Sequence, residues 1–362
     1  MKIIIFGGSF DPIHNGHIKM ALHAKERLNA DKVIFLLSKH PRFKTIKADD
    51  IHRLEMLKIA LKDYSWADID LTEYDSNEKI NYTYLTMLKL KQKYSGELYF
   101  LLGADNVNII DKWYEIDKLS KLVRLVGITR PNYQLNEEHV NRYNVLIINE
   151  YLNEMSSTAL REFKNLDCPF EVLKYIIENN LYFVPKIKQY ISNKRFNHSY
   201  EVAKLAYLIA NENNLNPYKA FQGGLIHDIG RELDINFQKS YIESNYPEYL
   251  DLNPSLYHQF LAVYLLKATF DIDDRELIES FKYHATGNGF LSPLGKVIYV
   301  SDKIEPTRGY DSSYMIKACL NDIESGFILV LKENIKFLKK NNKDYNNILT
   351  RECIRYYLEG SK

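Results

Sequence analysis

Ile3-Ile4-Ile5-Phe6-Gly7-Gly8-Ser9-Phe10-Asp11-Pro12-Ile13-His14-Asn15-Gly16-His17 opens the chain, and an apolar-periodic run from Ile18 to Leu28 follows it. Three β-branched residues and a phenylalanine in succession predict a short strand buried on both faces, as in a parallel sheet. Gly7 and Gly8 are expected to end that strand and to permit a tight turn with no side chain between backbone and ligand. A helix then begins near Gly16. Its first N–H groups have no intrahelical acceptor and favour a phosphate group. His14 and His17, three residues apart, place imidazole donors beside that position. Core histidines or a zinc pair are the alternatives, and no Cys or third His stands nearby to complete a zinc site.

The chain has 362 residues, enough for two domains of ordinary size. Its 46% hydrophobic and 26% charged residues exclude a disordered chain and a membrane protein. A formal net charge of +1 offers no electrostatic reason to expect a nucleic-acid partner. Cys168, Cys319 and Cys353 are scattered and odd in number, as for reduced thiols rather than a disulfide framework. The chain starts on a strand without signal-peptide regions, and no later run reaches membrane length. A cytoplasmic protein with no membrane partner is expected.

Strand-like runs recur at 32–37, 98–102, 122–128 and 145–148, with helical periodicity between most of them. That alternation predicts an α/β doubly wound parallel sheet, with ligands beyond the carboxyl ends of its strands. After the second run comes a basic loop, Ser38-Lys39-His40-Pro41-Arg42-Phe43-Lys44, which is either a mobile clamp on anions or a solvated surface. Arg53 opens a helical run. Asn81, in Asn81-Tyr82-Thr83-Tyr84-Leu85-Thr86, is a candidate helix cap. Gly103 of Phe100-Leu101-Leu102-Gly103-Ala104-Asp105 allows a nucleotide to approach the backbone, while Asp105 can accept from a sugar hydroxyl or cap the next helix. Trp113 can stack on a heteroaromatic ring or pack in the core. Hydroxyls at Ser156, Ser157 and Thr158, with Arg161 one turn further, form either a second anion seat or an N-capping cluster.

The stretch GGSFDPIHNGH resembles the nucleotidyltransferase signature GxFxPxHxGH and, within that superfamily, bacterial nicotinate-nucleotide adenylyltransferases. Gly7, Ser9, Phe10, Asp11, Pro12, His14, Gly16 and His17 carry the match. Four later stretches resemble the same family in the same order: RLEML from Arg53 (HRLxML), NYTYLT from Asn81 (SYTxxTL), GAD at Gly103, and MSSTALR from Met155 (ISSTxIR). Asn81, Met87 and Phe43 depart from its pattern. The resemblance implies a Rossmann-like nucleotidyltransferase fold that joins ATP to nicotinate mononucleotide, giving deamido-NAD and pyrophosphate. It implies ATP contacts at Gly7, Gly8, Ser9, Phe10, His14, His17, Gly103, Asp105, Ser156, Ser157, Thr158 and Arg161. Nicotinate mononucleotide would meet Thr83, Trp113, Tyr114 and Arg130. Catalysis would rest on charge stabilisation by His14, His17, Lys44 and Arg161 with Mg²⁺. Nicotinamide mononucleotide and phosphopantetheine are the alternative acceptors, although phosphopantetheine enzymes carry Thr where this chain has His14.

Val184-Pro185 is a plausible junction, since proline disfavours a helix running through it. The expected domains are 1–185 and 186–362. Helical periods dominate from Lys186 to Leu358, predicting an all-α domain. Within it His198 lies on the amphipathic run from Phe196 to Ile209, the adjacent pair His227-Asp228 sits in an apolar setting, and His258, His284 and Asp302 are further candidates on separate helices, although a lone His on an apolar helix face is usually core. A buried carboxylate beside imidazoles is costly unless it is paired or binds a metal. This order resembles the HD-superfamily phosphohydrolases, and the stretches from His284 and Asp302 resemble bacterial symmetrical diadenosine tetraphosphate hydrolases, with Ala285 departing from their pattern. The resemblance implies that His198, His227, Asp228 and Asp302 hold one metal and that Asp228 bridges to a second held by His258 and His284. Iron or manganese is implied, with diadenosine tetraphosphate cleaved to two ADP. Arg195, Lys303 and Arg308 are candidate phosphate contacts and Glu305 a candidate orienter; each is otherwise a surface charge. The alternative is a metal- or nucleotide-binding regulatory module without turnover. Homo-oligomerisation is left open.

Overall fold

The computed structural model describes residues 1–39, 45–76, 78, 80–129, 134–149 and 156–360. The chain divides into two compact units, Met1–Arg161 with Asp167–Tyr182, and Glu162–Leu166 with Phe183–Lys362. The short segment 162–166 therefore packs with the second unit, ahead of the 185/186 boundary expected from the sequence.

The first unit alternates strands and helices: β1 (Lys2–Gly8), α1 (Asn15–Leu28), β2 (Lys32–Leu37), α2 (Asp50–Leu61), β3 (Ala67–Asp70), α3 (Thr83–Lys93) and β4 (Glu97–Gly103). After these come α4 (Ala104–Asn108), α5 (Ile116–Leu122), β5 (Arg124–Thr129), α6 (Glu137–Arg142), β6 (Leu146–Asn149), α7 (Ser157–Arg161) and α8 (Phe170–Glu178). The six strands form one sheet in the order β3-β2-β1-β4-β5-β6. Every neighbouring pair is parallel. Ile3, Ile4, Ile5 and Phe6 are buried, as the apolar run requires of a central strand covered on both faces. The order reverses between β1 and β4, the place where a doubly wound sheet opens a crevice.

Two details differ from the sequence reading. The edge strand β3 was not anticipated, because Ala67-Asp68-Ile69-Asp70 is short and acidic. Its buried Asp70 carboxylate accepts from Lys93 Nζ, the Tyr94 hydroxyl and Thr72 N, each at 2.8 Å. The second difference concerns the glycines. Gly7 and Gly8 do end β1, still paired there with Leu36 and Leu37 of β2, but they do not make the turn: its left-handed residue is Phe10, at φ 43°. A Cβ on Gly8 would lie 2.9 Å from the Phe10 ring. The glycine makes room for that ring, which is buried edge-on against Phe6 (5.6 Å) and His17 (5.3 Å). Packing of the ring offsets the strain of a non-glycine residue at positive φ.

Among its described residues the second unit contains helices and no strand. They are α9 (Val184–Lys188), α10 (Asn193–Glu212), α11 (Pro217–Ile226), α12 (Ile235–Asn245), α13 (His258–Phe270), α14 (Arg275–Phe281), α15 (Pro293–Ile304), α16 (Ser313–Asn321), α17 (Ile323–Lys340) and α18 (Ile348–Ile354), with short 3₁₀ and π turns between or after them. Pro185 does not break a helix. It sits in the first turn of α9, where the missing N–H has no intrahelical role. No helix among the described residues is long and apolar enough to cross a membrane.

Close contact between α10 and α11 brings His198 and His227 toward each other. Gly224 permits it: a Cβ there would lie 2.7 Å from Ala203 Cα. Backbone cannot yield as a flexible side chain can. Gly224→Ala is expected to destabilise the second unit by about 1–3 kcal/mol, the range for overpacking, read as faster hydrogen exchange in α10 and α11 with exchange in β1 and β4 unchanged.

Candidate active sites

In the first unit the loop after β1 is held by polar contacts from distant segments. Arg53, 1% exposed, donates through Nη1 to the carbonyls of Ser9 (2.8 Å) and Ser38 (2.7 Å). A buried guanidinium thus joins the ends of β1 and β2; burial lowers its pKa, and Asp11 and Asp50 oppose the shift. Arg53→Met would leave these carbonyls without their donor. The expected cost is about 1–3 kcal/mol, checked by the unfolding midpoint of the first unit.

Asp11 is the second tie. Its carboxylate accepts from Lys47 N (2.7 Å), Ala48 N (3.2 Å) and the Tyr182 hydroxyl (2.8 Å), while its carbonyl accepts from Arg161 Nη1 (2.5 Å). Ser157 Oγ donates to the Pro12 carbonyl (2.9 Å), Ser156 Oγ accepts from Ala159 N (3.1 Å), and Arg161 Nη2 donates to Thr158 Oγ1 (2.8 Å). The hydroxyls therefore cap α7 and fasten it to the loop of residues 11–12.

His14 and His17 form a capping box at the start of α1, with His14 N donating to His17 Nδ1 at 3.3 Å. Their rings stack, with centroids 3.7 Å apart. A cleft opens at the carboxyl ends of β1, β2 and β4. Gly7, Gly8, Ser9, Thr83, Trp113 and Tyr114 line it, together with Glu73, Asn81 and Lys112, which the sequence reading did not assign to a site. His14, His17, Gly103, Asp105 and Ser156–Arg161 are not part of that lining. No atom lies within 4 Å of where a Gly103 Cβ would sit. Trp113 meets the core through Phe100 at 6.1 Å, edge-on, and its buried indole nitrogen makes no hydrogen bond. Asn81 does not cap α3: Tyr82 occupies that position, and Asn81 Nδ2 donates to the Glu73 carbonyl at 3.1 Å. The Glu73 carboxylate is buried and accepts from Thr86 Oγ1 at 2.9 Å; burial raises its pKa. Lys44 and Arg130 lie outside the described residues.

In the second unit five separate segments bring His198, His227, Asp228, His258, His284 and Asp302 together. Three overlapping sets, His198/His227/Asp228, His227/His284/Asp302 and Asp228/His258/His284, each offer ligand atoms within 4.8 Å of one another. His227 Nε2 is buried without a hydrogen bond, 3.5 Å from Asp302 Oδ1 and 3.7 Å from Asp228 Oδ2. A buried nitrogen in that state is costly. A cation would satisfy it, so this donor set fits a metal.

The imidazoles share one device. Nδ1 of His227, His258 and His284 lies 2.7, 2.8 and 2.8 Å from the carbonyls of Gly224, Ser255 and Phe281, three residues earlier in each case. A carbonyl only accepts, so the proton belongs on Nδ1 and the Nε2 lone pair is left for a metal. In His198 the partner is Glu305, 3.2 Å from Nδ1, while Nε2 lies 3.2 Å from Asp302.

At His284 and His258 the protonation states agree with that role, while His198 must give up a proton to ligate. Burial, with His227 and His258 adding to it, pushes His284 down to about 3 against the pull of Asp228; burial also lowers His258. His198 rises to about 9, because hydrogen bonds to Asp302 and Glu305 outweigh burial. Burial works against ionised Asp228 and Asp302, but histidines hold Asp228 well below the usual carboxylate range, and Lys303, His198, His227 and Arg308 do so for Asp302. Of the candidate phosphate contacts, Arg195 lies 2.7 Å from Asp228, and Lys303 and Arg308 lie 2.7 and 2.5 Å from Asp302. Arg231, which the sequence reading did not single out, places Nη1 3.0 Å from His258 Nε2.

Residues 5–163 match the cytidylyltransferase-like family model and residues 195–307 the HD domain model. Sheet and donor cluster together define the class: a nucleotidyltransferase-type domain followed by an HD domain. A Mycoplasma genitalium protein named "Probable nicotinate-nucleotide adenylyltransferase/Ap4A hydrolase" is 33% identical over 346 residues, 91% of this chain and 97% of that protein. A Mycoplasma pneumoniae protein of the same name is 29% identical over 93% of this chain and 100% of its own length. A Bacillus subtilis protein named "Nicotinate-nucleotide adenylyltransferase" is 36% identical over 50% of this chain and 98% of its own length. The chain belongs to the family of fused nicotinate-nucleotide adenylyltransferase/Ap4A hydrolase proteins.

Proposed function

We propose that the chain is a bifunctional enzyme, adenylylating nicotinate mononucleotide in its first unit and hydrolysing diadenosine tetraphosphate in its second. The first assignment is carried by the cleft at the switch point of the sheet, where Gly7–Ser9 face Thr83 and Trp113. The pyridine ring packs on Trp113 with its carboxylate toward Thr83. The mononucleotide phosphate, already an anion, attacks the α-phosphorus of ATP as the bond to the β-phosphate oxygen breaks. Pyrophosphate leaves and no general base is needed. His14, His17, Lys44 and Arg161 offset the charge that develops, with Mg²⁺ accompanying ATP.

The second assignment is carried by the six convergent ligand side chains. His198, His227, Asp228 and Asp302 would hold one cation, and His258 and His284 a second that shares Asp228; iron or manganese suits mixed nitrogen and carboxylate donors. When bound, such ions acidify a water and clamp phosphate oxygens. The residues' own part is to orient each Nε2 through its Nδ1 partner and to line the rim with Arg195, Lys303 and Arg308 for the polyphosphate. Water's oxygen bonds to one of the two central phosphorus atoms as the P–O–P bridge between them breaks, its protons pass to solvent and the bridging oxygen, and two ADP result.

Assays on the purified full chain test both halves. Nicotinate mononucleotide should outpace nicotinamide mononucleotide and phosphopantetheine as AMP acceptor. With iron or manganese, diadenosine tetraphosphate should give ADP alone. ATP plus AMP would mean asymmetrical cleavage, and binding without release would make the second unit a regulatory module.

A further inference from the structure

The segment after α15 leaves the metal-type cluster as a tightly pinned loop. Glu305 accepts from Thr307 N (2.6 Å) and Thr307 Oγ1 (2.7 Å), and the buried Ser312 Oγ donates to the Ile304 carbonyl (2.7 Å). Between these anchors stands Tyr310, 49% exposed, with its hydroxyl donating to the Lys303 carbonyl. Lys303 is itself tied through Nζ to Asp302 Oδ2 (2.7 Å) and to the His284 carbonyl (2.9 Å). The tyrosine hydroxyl is thus tethered one residue from a candidate metal ligand, while the residue stays about half open to solvent. Gly309, at φ 82°, has no atom beyond its chain neighbours within 4 Å of where its Cβ would be, so the loop borders open space there. Tyr314, 51% exposed, follows at the start of α16.

We propose that Tyr310 is the platform on which a purine base of the second unit's nucleotide substrate stacks, a reading that rests on the hydrolase assignment above. The Cα atoms of residues 308 and 310 are at most about 7 Å apart, so a phosphate engaged by Arg308 would leave its nucleoside within reach of the Tyr310 ring. A ring held by its hydroxyl loses little freedom on stacking, and the π-face accepts any base, so the platform selects nucleotides over bare polyphosphates without reading base edges.

The test uses the full chain. In Tyr310→Leu the ratio of kcat/KM for diadenosine tetraphosphate to that for inorganic tripolyphosphate should fall about tenfold or more, as expected for one lost stacking contact, with the loss in KM. Tyr310→Phe, which keeps the ring, should recover most of it. Independently of turnover, 3-fluorotyrosine placed at position 310 should show an upfield ¹⁹F shift with ADP and none with pyrophosphate. Equal losses on both substrates, or a fluorine signal that ADP leaves unmoved, would overturn the proposal. If the wild-type chain fails to cleave diadenosine tetraphosphate yet ADP still moves the fluorine signal, the hydrolase assignment falls and the platform stands.

Discussion

Replacing Asp228 with alanine is expected to eliminate hydrolysis of diadenosine tetraphosphate while dinucleotide synthesis continues at the wild-type rate. Asp228 belongs to two of the three donor sets, with Oδ1 3.1 Å from His258 Nε2 and Oδ2 2.7 Å from Arg195. Without its carboxylate the cluster loses the anion common to both sets. The fall should exceed about 100-fold, the upper range for losing even an outer partner of a metal ligand. Asp228→Asn keeps the shape and removes the charge, so it should bind less metal while staying folded. Metal content measured beside both activities checks this. Should either variant, still folded, lose both reactions, the two sites would not be independent.

His17→Ala should do the reverse, lowering dinucleotide synthesis by about 100- to 1000-fold, the cost of deleting one preorganised charge-stabilising donor. The variant also loses the acceptor that His17 Nδ1 provides for His14 N, worth roughly 1 kcal/mol as a helix cap. His17→Gln separates these effects. Glutamine at this helix position can still accept from the cap residue but supplies no imidazole, so stability should return and synthesis should not. Recovery of synthesis in His17→Gln would reduce His17 to a capping residue.

Local chemistry was legible wherever one short stretch carried it. The apolar run at Ile3–Phe6 does form a central parallel strand, and the helix begins at Asn15, beside the expected Gly16. Residues met only through packing were not legible. Glu73 enters the cleft because Thr86, thirteen residues on, donates to its carboxylate, and nothing in Thr72-Glu73-Tyr74 announces it. Arg53 reads as a structural helix-face arginine, which it is, but its partners, the two strand ends it ties together, are not in the sequence. At Gly7 and Gly8 the residue type and the place beside a ligand cleft were legible, but not the packing: the turn is made by Phe10, and Gly8 makes space for its ring.

By itself the sequence determined the alternating first half, the helical second half, and which residue types could handle phosphate and metal, because strand burial, helix periodicity and donor chemistry are properties of neighbouring residues. Only the tertiary structure decided how those donors are aimed. His198 meets Glu305 across 107 positions, and a carbonyl three residues back turns each of the other three imidazoles. Such pairings depend on how closely helices pack and how each chain segment enters its turn, and both are set by the whole core rather than by any stretch within it.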